Sequence, residues 1–445
     1  MITLPRARVA IAVALFVYVL IIRTYDLANS FLMIGEQVRD WKIALGSWTE
    51  LPLTGAPSTA GGRGFGPIYY WLLWVGRVIV GPFTSNLPHG GGIWVALLQS
   101  AADAWLFLVL ARRVHVILAL AMLLFIASAP FDISISGVIW NPPVSAALVK
   151  MATALALSLG TTPPVWRVVA TAAVAWLAVQ AHLSAIFLAA PLMTALVVQP
   201  LVNRQWRRAF TLAAGIAAML LVLQIPYFIA RITEPAAAAG PSAALNNMAQ
   251  AESLQVTKSY GMVVNTTGEL LVRQRDEWTF QWPFLVVALV VLARWRNDLP
   301  LLAVTVGPLA GATVLFSTWT RPYDSYWFLT ATTAMVLTLG MALAALPSLA
   351  AIQWISVALL AGVLAWQPAR IAASRDFFSY PQYRTMRIGS IELARRAPVL
   401  RDIRVNFAGV HPTMDKYIMY RTLGGRIEPG APIAFIDEGG LVRIE

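Results

Sequence analysis

Apolar residues in this chain are gathered into long unbroken runs. They neither alternate nor form a narrow helical stripe. The first run lies at 9–22. Others lie near 92–111, 115–130, 142–160, 166–181, 183–199, 209–230, 279–294, 299–316, 325–346 and 349–366. Runs of roughly 15–22 apolar residues predict helices that cross a bilayer, about eleven of them here. The segment 66–82 (GPIYYWLLWVGRVIVGP) is also apolar, but it is short and has Gly and Pro at both ends. Charge decides how to place it. If it crosses, Arg112–Arg113 and every later basic turn move to the outer side. If it lies in the interface, Arg6, Arg8, Arg112, Arg113, Arg167, Arg204, Arg207, Arg208, Arg294 and Arg296 all face inward, as the positive-inside rule prefers. Its Tyr69, Tyr70, Trp71 and Trp74 also suit an interfacial helix.

Composition agrees. Of 445 residues, 58% are hydrophobic and 12% are charged, against roughly 25% charged in a soluble domain. The mean hydropathy is +0.68. So little polar surface cannot cover a water-soluble globule, and a disordered chain is excluded as well. The net charge is +12. With no basic helix or nucleic-acid motif, that charge reads as inner-loop and headgroup contacts, so no nucleic-acid partner is expected. Cysteine is absent, which removes disulfides, thiolate chemistry and Cys-ligated metals. The histidines show no HExxH spacing.

The expected architecture is an all-α polytopic membrane domain over 1–366 with a small α/β domain over 367–445. Two long outer loops interrupt the first domain, at 24–91 and 231–278, and loops of that length in a compact bundle are usually functional. No internal repeat is visible. In the tail, 375–396 and 412–423 read as helices, and 402–407 (DIRVNF) and 433–437 (IAFID) as strands. The run at 9–22 has no small-residue cleavage site after it and reads as a retained first span with its N-terminus inside.

Chemistry-bearing residues cluster in the outer segments. If 35–41 is helical, Glu36, Arg39 and Asp40 share one face. Carboxylates beside a guanidinium can act as a base toward a hydroxyl; a salt-bridged interfacial helix accounts for the same spacing. The run Gly61-Gly62-Arg63-Gly64-Phe65-Gly66 allows close backbone approach to a ligand, and Arg63 can hold a phosphate. A flexible loop is the plainer reading. Asn141, at the start of a span, reads as a helix cap or a sugar contact, and His182 as a hydrogen-bonded bundle residue or a ligand. Arg231, Lys258, Arg273 and Arg275 decorate the second loop as headgroup contacts. Asp103 and Lys150 fall eleven and eight residues into their spans, about 16 and 12 Å deep at 1.5 Å per residue. An unpaired charge there costs at least about 2.5–3.5 kcal/mol, so the two are expected to pair or to find a partner such as Gln99.

An acidic–polar–Arg cluster after the first span, followed by a Gly/Pro–Tyr–Tyr–Trp helix, resembles the GT-C glycosyltransferases that use polyprenyl-phosphate sugars. Protein O-mannosyltransferases and lipid A aminoarabinose transferases are the nearest groups. The resemblance implies that Glu36 stands where the family has its base, usually Asp. Gln37 stands at the second acid and Arg39 at the arginine. Asp40 either compensates for Gln37 or is itself the base. Arg63 lies near the family's phosphate-binding basic residue, out of strict register. Arg321-Pro-Tyr323-Asp324-Ser-Tyr326-Trp327-Phe328 resembles the aromatic motif that faces the lipid phosphate.

The implied activity is transfer of a sugar from a polyprenyl-phosphate donor to a lipid, glycan or protein hydroxyl on the outer face. The base is Glu36 or Asp40. Substrate contacts fall to Arg39, Arg63, Tyr69, Tyr70, Asn141, His182, Arg321, Tyr323, Asp324 and Tyr326. No cofactor or metal is required by this scheme. A bacterial inner-membrane location is expected, with membrane lipids as further partners. The rival readings are a transporter or flippase of lipid-linked sugars, which needs polar residues along a through-path, and a non-catalytic cell-envelope scaffold.

Overall fold

The computed structural model of the protein describes residues 4–58, 62–234, 254–273, 281–319, 323–375, 378–410 and 414–445. Helix follows helix through the first four-fifths of the chain, and a small mixed sheet closes it. The first helix, Leu4–Thr24, shows why. Val9, Val13, Val17 and Ile21 line one exposed face, while Ala12, Leu15 and Val19 are buried. Both faces are apolar, which is the signature of a helix between a protein core and lipid.

Among the described residues, six helices are long and apolar enough to cross a bilayer, or seven if Val116–Ala127 and Pro130–Ser136, bent by 63°, form one broken span. Each of the eleven expected runs overlaps a helix. Several are too short or too interrupted to count as full spans, however, and the expected number of crossings is not established. Val165–Ala181, Gln281–Trp295 and Val306–Phe316 are among the shorter ones. Ser128, Ala129 and Pro130 break the first of the interrupted runs, and Pro130 opens the new helix.

Hydrogen bonds fix the ends of the bundle. At one end, Arg113 Nε donates to Leu157 O at 2.7 Å, its Nη2 to Leu159 O at 3.1 Å, and its Nη1 pairs with Asp298 at 2.9 Å. At the other, Asn141 Nδ2 donates to Ala181 O at 3.0 Å, and Trp140 packs on Tyr326 at 4.5 Å. Two long segments, 24–91 and 231–278, are expected from the sequence to be loops. The later one is not all loop. It holds the helix Val256–Val272, with Val263, Val264, Thr267 and Leu271 buried, because its apolar residues recur every three to four positions.

Between the ends lies a buried ionic cluster. Lys150 Nζ sits 2.8 Å from Asp103 Oδ1 and donates to Gln99 Oε1 at 2.9 Å, so the expected pair forms. It is larger than the sequence spacing revealed. Arg23 reaches down from the first helix to Asp103 at 2.6 Å, to Asp132 and to Ser100 at 3.1 Å. Lys150 also meets Asp132 at 3.4 Å. The cluster thus ties together four helices in a medium where an unpaired charge is costly.

The helix Leu349–Ser374 runs past residue 367, where the tail is expected to begin. Helix Gln382–Arg396 packs on a sheet in which β2 (Asp402–Asn406) pairs in parallel with β4 (Ile433–Asp437), and β4 pairs antiparallel with β5 (Val442–Ile444). β1 (Val399–Leu400) and β3 (Arg426–Ile427) make a second short parallel pair. Gly389 is needed where helix meets sheet, because a Cβ there would lie 2.6 Å from Ile436. The expected helix at 412–423 is shorter, Ile418–Thr422; residues 412 and 413 lie outside the described residues. The tail docks on the second end of the bundle. Tyr380 N donates to Ser30 O at 2.9 Å, and His89 Nδ1 lies 2.8 Å from the Tyr383 hydroxyl.

Replacing Asp132 by Leu leaves Arg23 and Lys150 sharing one carboxylate. Breaking a buried pair in this way costs about 3–5 kcal/mol. Thermal unfolding in detergent should show a correspondingly lower midpoint; an unchanged midpoint would contradict the role given to the cluster.

Candidate functional site

The site is assembled from the helix Gly35–Leu45, the glycine loop after it, and the helix Ile68–Val80. The first of these does carry Glu36, Arg39 and Asp40 on neighbouring turns. It is anchored by Trp41, which is fully buried and whose Nε1 donates to Asn86 O at 2.8 Å. Gly91 makes room for that indole, since a Cβ there would lie 2.7 Å from the ring. On its exposed side Lys42 pairs with Asp415 of the tail.

Asp40, next to the anchor, is 0% exposed. Its Oδ2 accepts from the Tyr69 hydroxyl at 2.8 Å, and its Oδ1 from the Tyr70 hydroxyl at 3.1 Å and from Arg39 Nε at 2.8 Å. Three donors therefore surround one buried carboxylate, and charge-assisted hydrogen bonds of this kind are the strong ones. Burial and then the Asp40 charge push both tyrosine hydroxyls above their usual range, with Arg39 opposing in each case; Arg63 also opposes at Tyr70. The two hydroxyls therefore remain donors. Burial costs Arg39 some proton affinity, but the hydrogen bond and charge of Asp40, with Tyr70 and Glu36 adding, more than restore it. Glu36, one turn before Asp40, is exposed. Gln37, at the place of a second acid, is buried.

The glycines do something neither expected reading described. Gly55 N donates to Gly64 O at 3.0 Å, and Gly64 N to Ala56 O at 3.1 Å, closing the loop on itself. A Cβ on Gly66 would lie 2.3 Å from Gln180 Cδ, and one on Gly55 would lie 3.0 Å from Gly64 Cα. Small residues here let two backbone strands and the Gln180 side chain share one space. Gln180 itself donates to Leu223 O at 2.7 Å and to Gln224 at 2.8 Å. The loop is thereby fixed to the bundle, and half-buried Arg63 is held where its charge reaches Tyr70. Trp48 packs against Trp71, tilted, and edge-on to Trp74, with ring centroids 5.3 and 5.1 Å apart, clamping the loop's start to the tyrosine helix.

Gln180 also links this cluster to a second one. Two residues on, His182 Nδ1 lies 2.8 Å from Ser184 Oγ and accepts from Ser184 N, and its ring stands edge-on to Tyr326 at 5.9 Å. Burial lowers His182 to about 4, so the ring is neutral. Asn141 is not a cap. It is the first residue of its helix, the preceding Trp140 is the cap position, and the Asn141 side chain is spent on Ala181 O. Tyr323 stands apart from the Asp40 cluster, with its hydroxyl 3.3 Å from Thr266 Oγ1 and its ring against Phe316 and Phe328. Asp324 is exposed beside it. Arg321 and Arg275 lie outside the described residues. Thus Glu36, Arg39, Asp40, Arg63, Tyr69 and Tyr70 come together. Asn141, His182 and Tyr326 form an adjoining group. Trp41, Gln180 and Gly91 position the site but had no chemical signal in the sequence to mark them.

No protein-family model matches the chain, and no curated protein matches it significantly. Solved structures do. ArnT from Cupriavidus metallidurans bound to undecaprenyl phosphate matches with a TM-score of 0.60 at 16% identity, covering 94% of this chain and 86% of that one. The chain shares the GT-C fold of ArnT. The apo form of ArnT from the same organism gives a TM-score of 0.58 at 17% identity over the same coverage.

Gly66→Ala forces its methyl against Gln180. We expect a lower melting midpoint for this variant in detergent and recovery when Gln180→Ala is added. An unaffected single variant would contradict the packing described.

Proposed function

We propose that the protein is a membrane glycosyltransferase that takes a sugar from a polyprenyl-phosphate donor and passes it to an acceptor hydroxyl. The observation that carries this reading is the buried Asp40 carboxylate with its three donors, flanked by Glu36 and Arg63, at one end of a bundle with the fold of ArnT. That an ArnT structure contains undecaprenyl phosphate supports a lipid-phosphate donor.

In this reading the acceptor hydroxyl attacks the anomeric carbon. Its proton passes to Glu36, the bond between that carbon and the phosphate oxygen breaks, and polyprenyl phosphate leaves. Arg63 holds the charge that grows on the phosphate. Asp40 is the organiser rather than the base: it is enclosed and all its near donors are protein groups, whereas Glu36 is open to an incoming acceptor. Arg39, held by Asp40, completes the positive wall. Asn141, His182, Tyr323, Asp324, Tyr326 and Arg321 would border the sugar and the lipid head. The scheme uses no metal.

The arginine-rich turns lie at the opposite end from the site, as Arg113 illustrates by bridging Leu157, Leu159 and Asp298. The positive-inside rule then puts the site on the outer face of a cytoplasmic membrane, with the tail domain over it.

A general base is worth about 10²–10⁴ in rate. Purified protein in nanodiscs, offered radiolabelled polyprenyl-phosphate sugars, should release polyprenyl phosphate. Glu36→Gln should slow that release at least about 100-fold at unchanged donor affinity. Asp40→Asn should weaken donor affinity as well, because it disturbs Arg39 and both tyrosines. Full turnover by Glu36→Gln contradicts the base assignment.

A further inference from the structure

Four side chains beside the Asp40 cluster form a closed circuit. Trp140 lies against Tyr326, with ring centroids 4.5 Å apart, and Tyr326 meets the His182 ring edge-on at 5.9 Å. Asn141 follows Trp140 in the chain, and its Nδ2 donates at 3.0 Å to the carbonyl of Ala181, the residue before His182. All four residues are half-buried, so the circuit keeps an open side. It shares a wall with the glycine loop. A Cβ on Gly64, the neighbour of Arg63, would lie 3.3 Å from the carbonyl oxygen of Gln180, two residues before His182.

Hydrogen bonding fixes what the two polar members offer. Ser184 N lies 3.4 Å from His182 Nδ1, and a backbone N–H can only donate, so Nδ1 accepts. Ser184 Oγ lies 2.8 Å from the same nitrogen, and Ser184 is held in turn by Thr330 Oγ1, which donates to its carbonyl at 3.4 Å. The ring is neutral, because burial lowers it to about 4. Its one N–H is therefore on Nε2, which has no partner among the described residues. The same reasoning fixes Asn141. Ala181 O can only accept, so the amide nitrogen faces it, and Oδ1 is left as an acceptor with no partner among the described residues. The circuit thus offers an uncharged donor and an uncharged acceptor beside two aromatic rings. Phosphates are best served by arginine and ammonium groups by carboxylates. A sugar hydroxyl both gives and takes a hydrogen bond, and the C–H face of a sugar packs on the electron-rich face of an indole or phenol.

We infer that Trp140, Asn141, His182 and Tyr326 bind the sugar of the lipid-linked donor, its ring against the aromatic side chains and its hydroxyls between His182 Nε2–H and Asn141 Oδ1. This rests on the transferase reading and deepens it: Arg63 holds the phosphate, and the circuit recognises what the phosphate carries. Ser184 and Thr330 are positioning residues, since they set which nitrogen of His182 donates.

The test compares two kinds of probe on the purified full-length protein in nanodiscs. One is polyprenyl methyl phosphate, which has the donor's charge and no sugar. The other is polyprenyl phosphate bearing glucose, mannose or arabinose. The native protein should bind at least one sugar-bearing probe roughly tenfold more tightly than the methyl ester, about the worth of one well-made hydrogen bond. His182→Asn keeps an acceptor toward Ser184 but places nothing at Nε2, and should lose that advantage. His182→Gln places an amide N–H near the Nε2 position and should keep most of it. Trp140→Ala should lose it through the stacking face. These three variants should bind the methyl ester as the native protein does, which also shows that they are folded, whereas Arg63→Ser should weaken both kinds of probe. A retained advantage in His182→Asn or in Trp140→Ala overturns the proposal, as does its loss in His182→Gln. Equal binding of all probes by the native protein overturns it too, while leaving the phosphate site and the transferase reading standing. If no probe binds, the transferase reading itself fails and takes this inference with it.

Discussion

A buried carboxylate that cannot be left without donors sets the geometry of the candidate site. Asp40 is closed off from water, and Tyr69, Tyr70 and Arg39 enclose it. Loss of one of these donors would leave charge stranded in a poorly solvated place. The carboxylate therefore dictates where the helix Ile68–Val80 lies, how it is turned, and which way Arg39 points. Trp41 on one side and the glycine loop on the other convert that local demand into attachment to the bundle.

The same logic operates deeper in the membrane domain. Arg23, Asp103, Asp132 and Lys150 satisfy one another across helices that are otherwise joined by apolar packing. Apolar contacts between membrane helices discriminate weakly among arrangements, because lipid tails compete on equal terms. Charges that must find partners select one arrangement, and this one sets the first helix where the first loop begins. One ionic cluster thus fixes the bundle and another fixes the site, and the chain between them is short.

Much of the fold was legible because hydropathy reports the solvent directly. The membrane class, the positions of the helices and the strands at 402–407 and 433–437 all follow from residue type and run length. The Asp103–Lys150 pair was legible because an unpaired charge at that depth is so costly. Asp132 and Arg23 were missed, since each lies at the edge of a run where a charge is unremarkable. The number of complete crossings was not legible, because breaks such as the one at Ser128–Pro130 turn on local geometry rather than hydropathy. In the site, helical spacing brought Glu36, Arg39 and Asp40 together, but nothing local showed that Asp40 would be enclosed and Glu36 open. That difference comes from Tyr69 and Tyr70, about thirty residues further on, and long-range partners have no signature in spacing. Asn141 was misread because a polar residue at a helix start looks the same whether it caps its own helix or bridges to another.

The most direct measurement is an electron cryo-microscopy structure of the protein with a polyprenyl phosphate added. The account predicts phosphate density within hydrogen-bonding distance of Arg63, in the same hollow as Glu36 and the Tyr69–Tyr70–Asp40 cluster. Phosphate density confined to the opposite, arginine-rich end, with the hollow beside Glu36 empty, would contradict it.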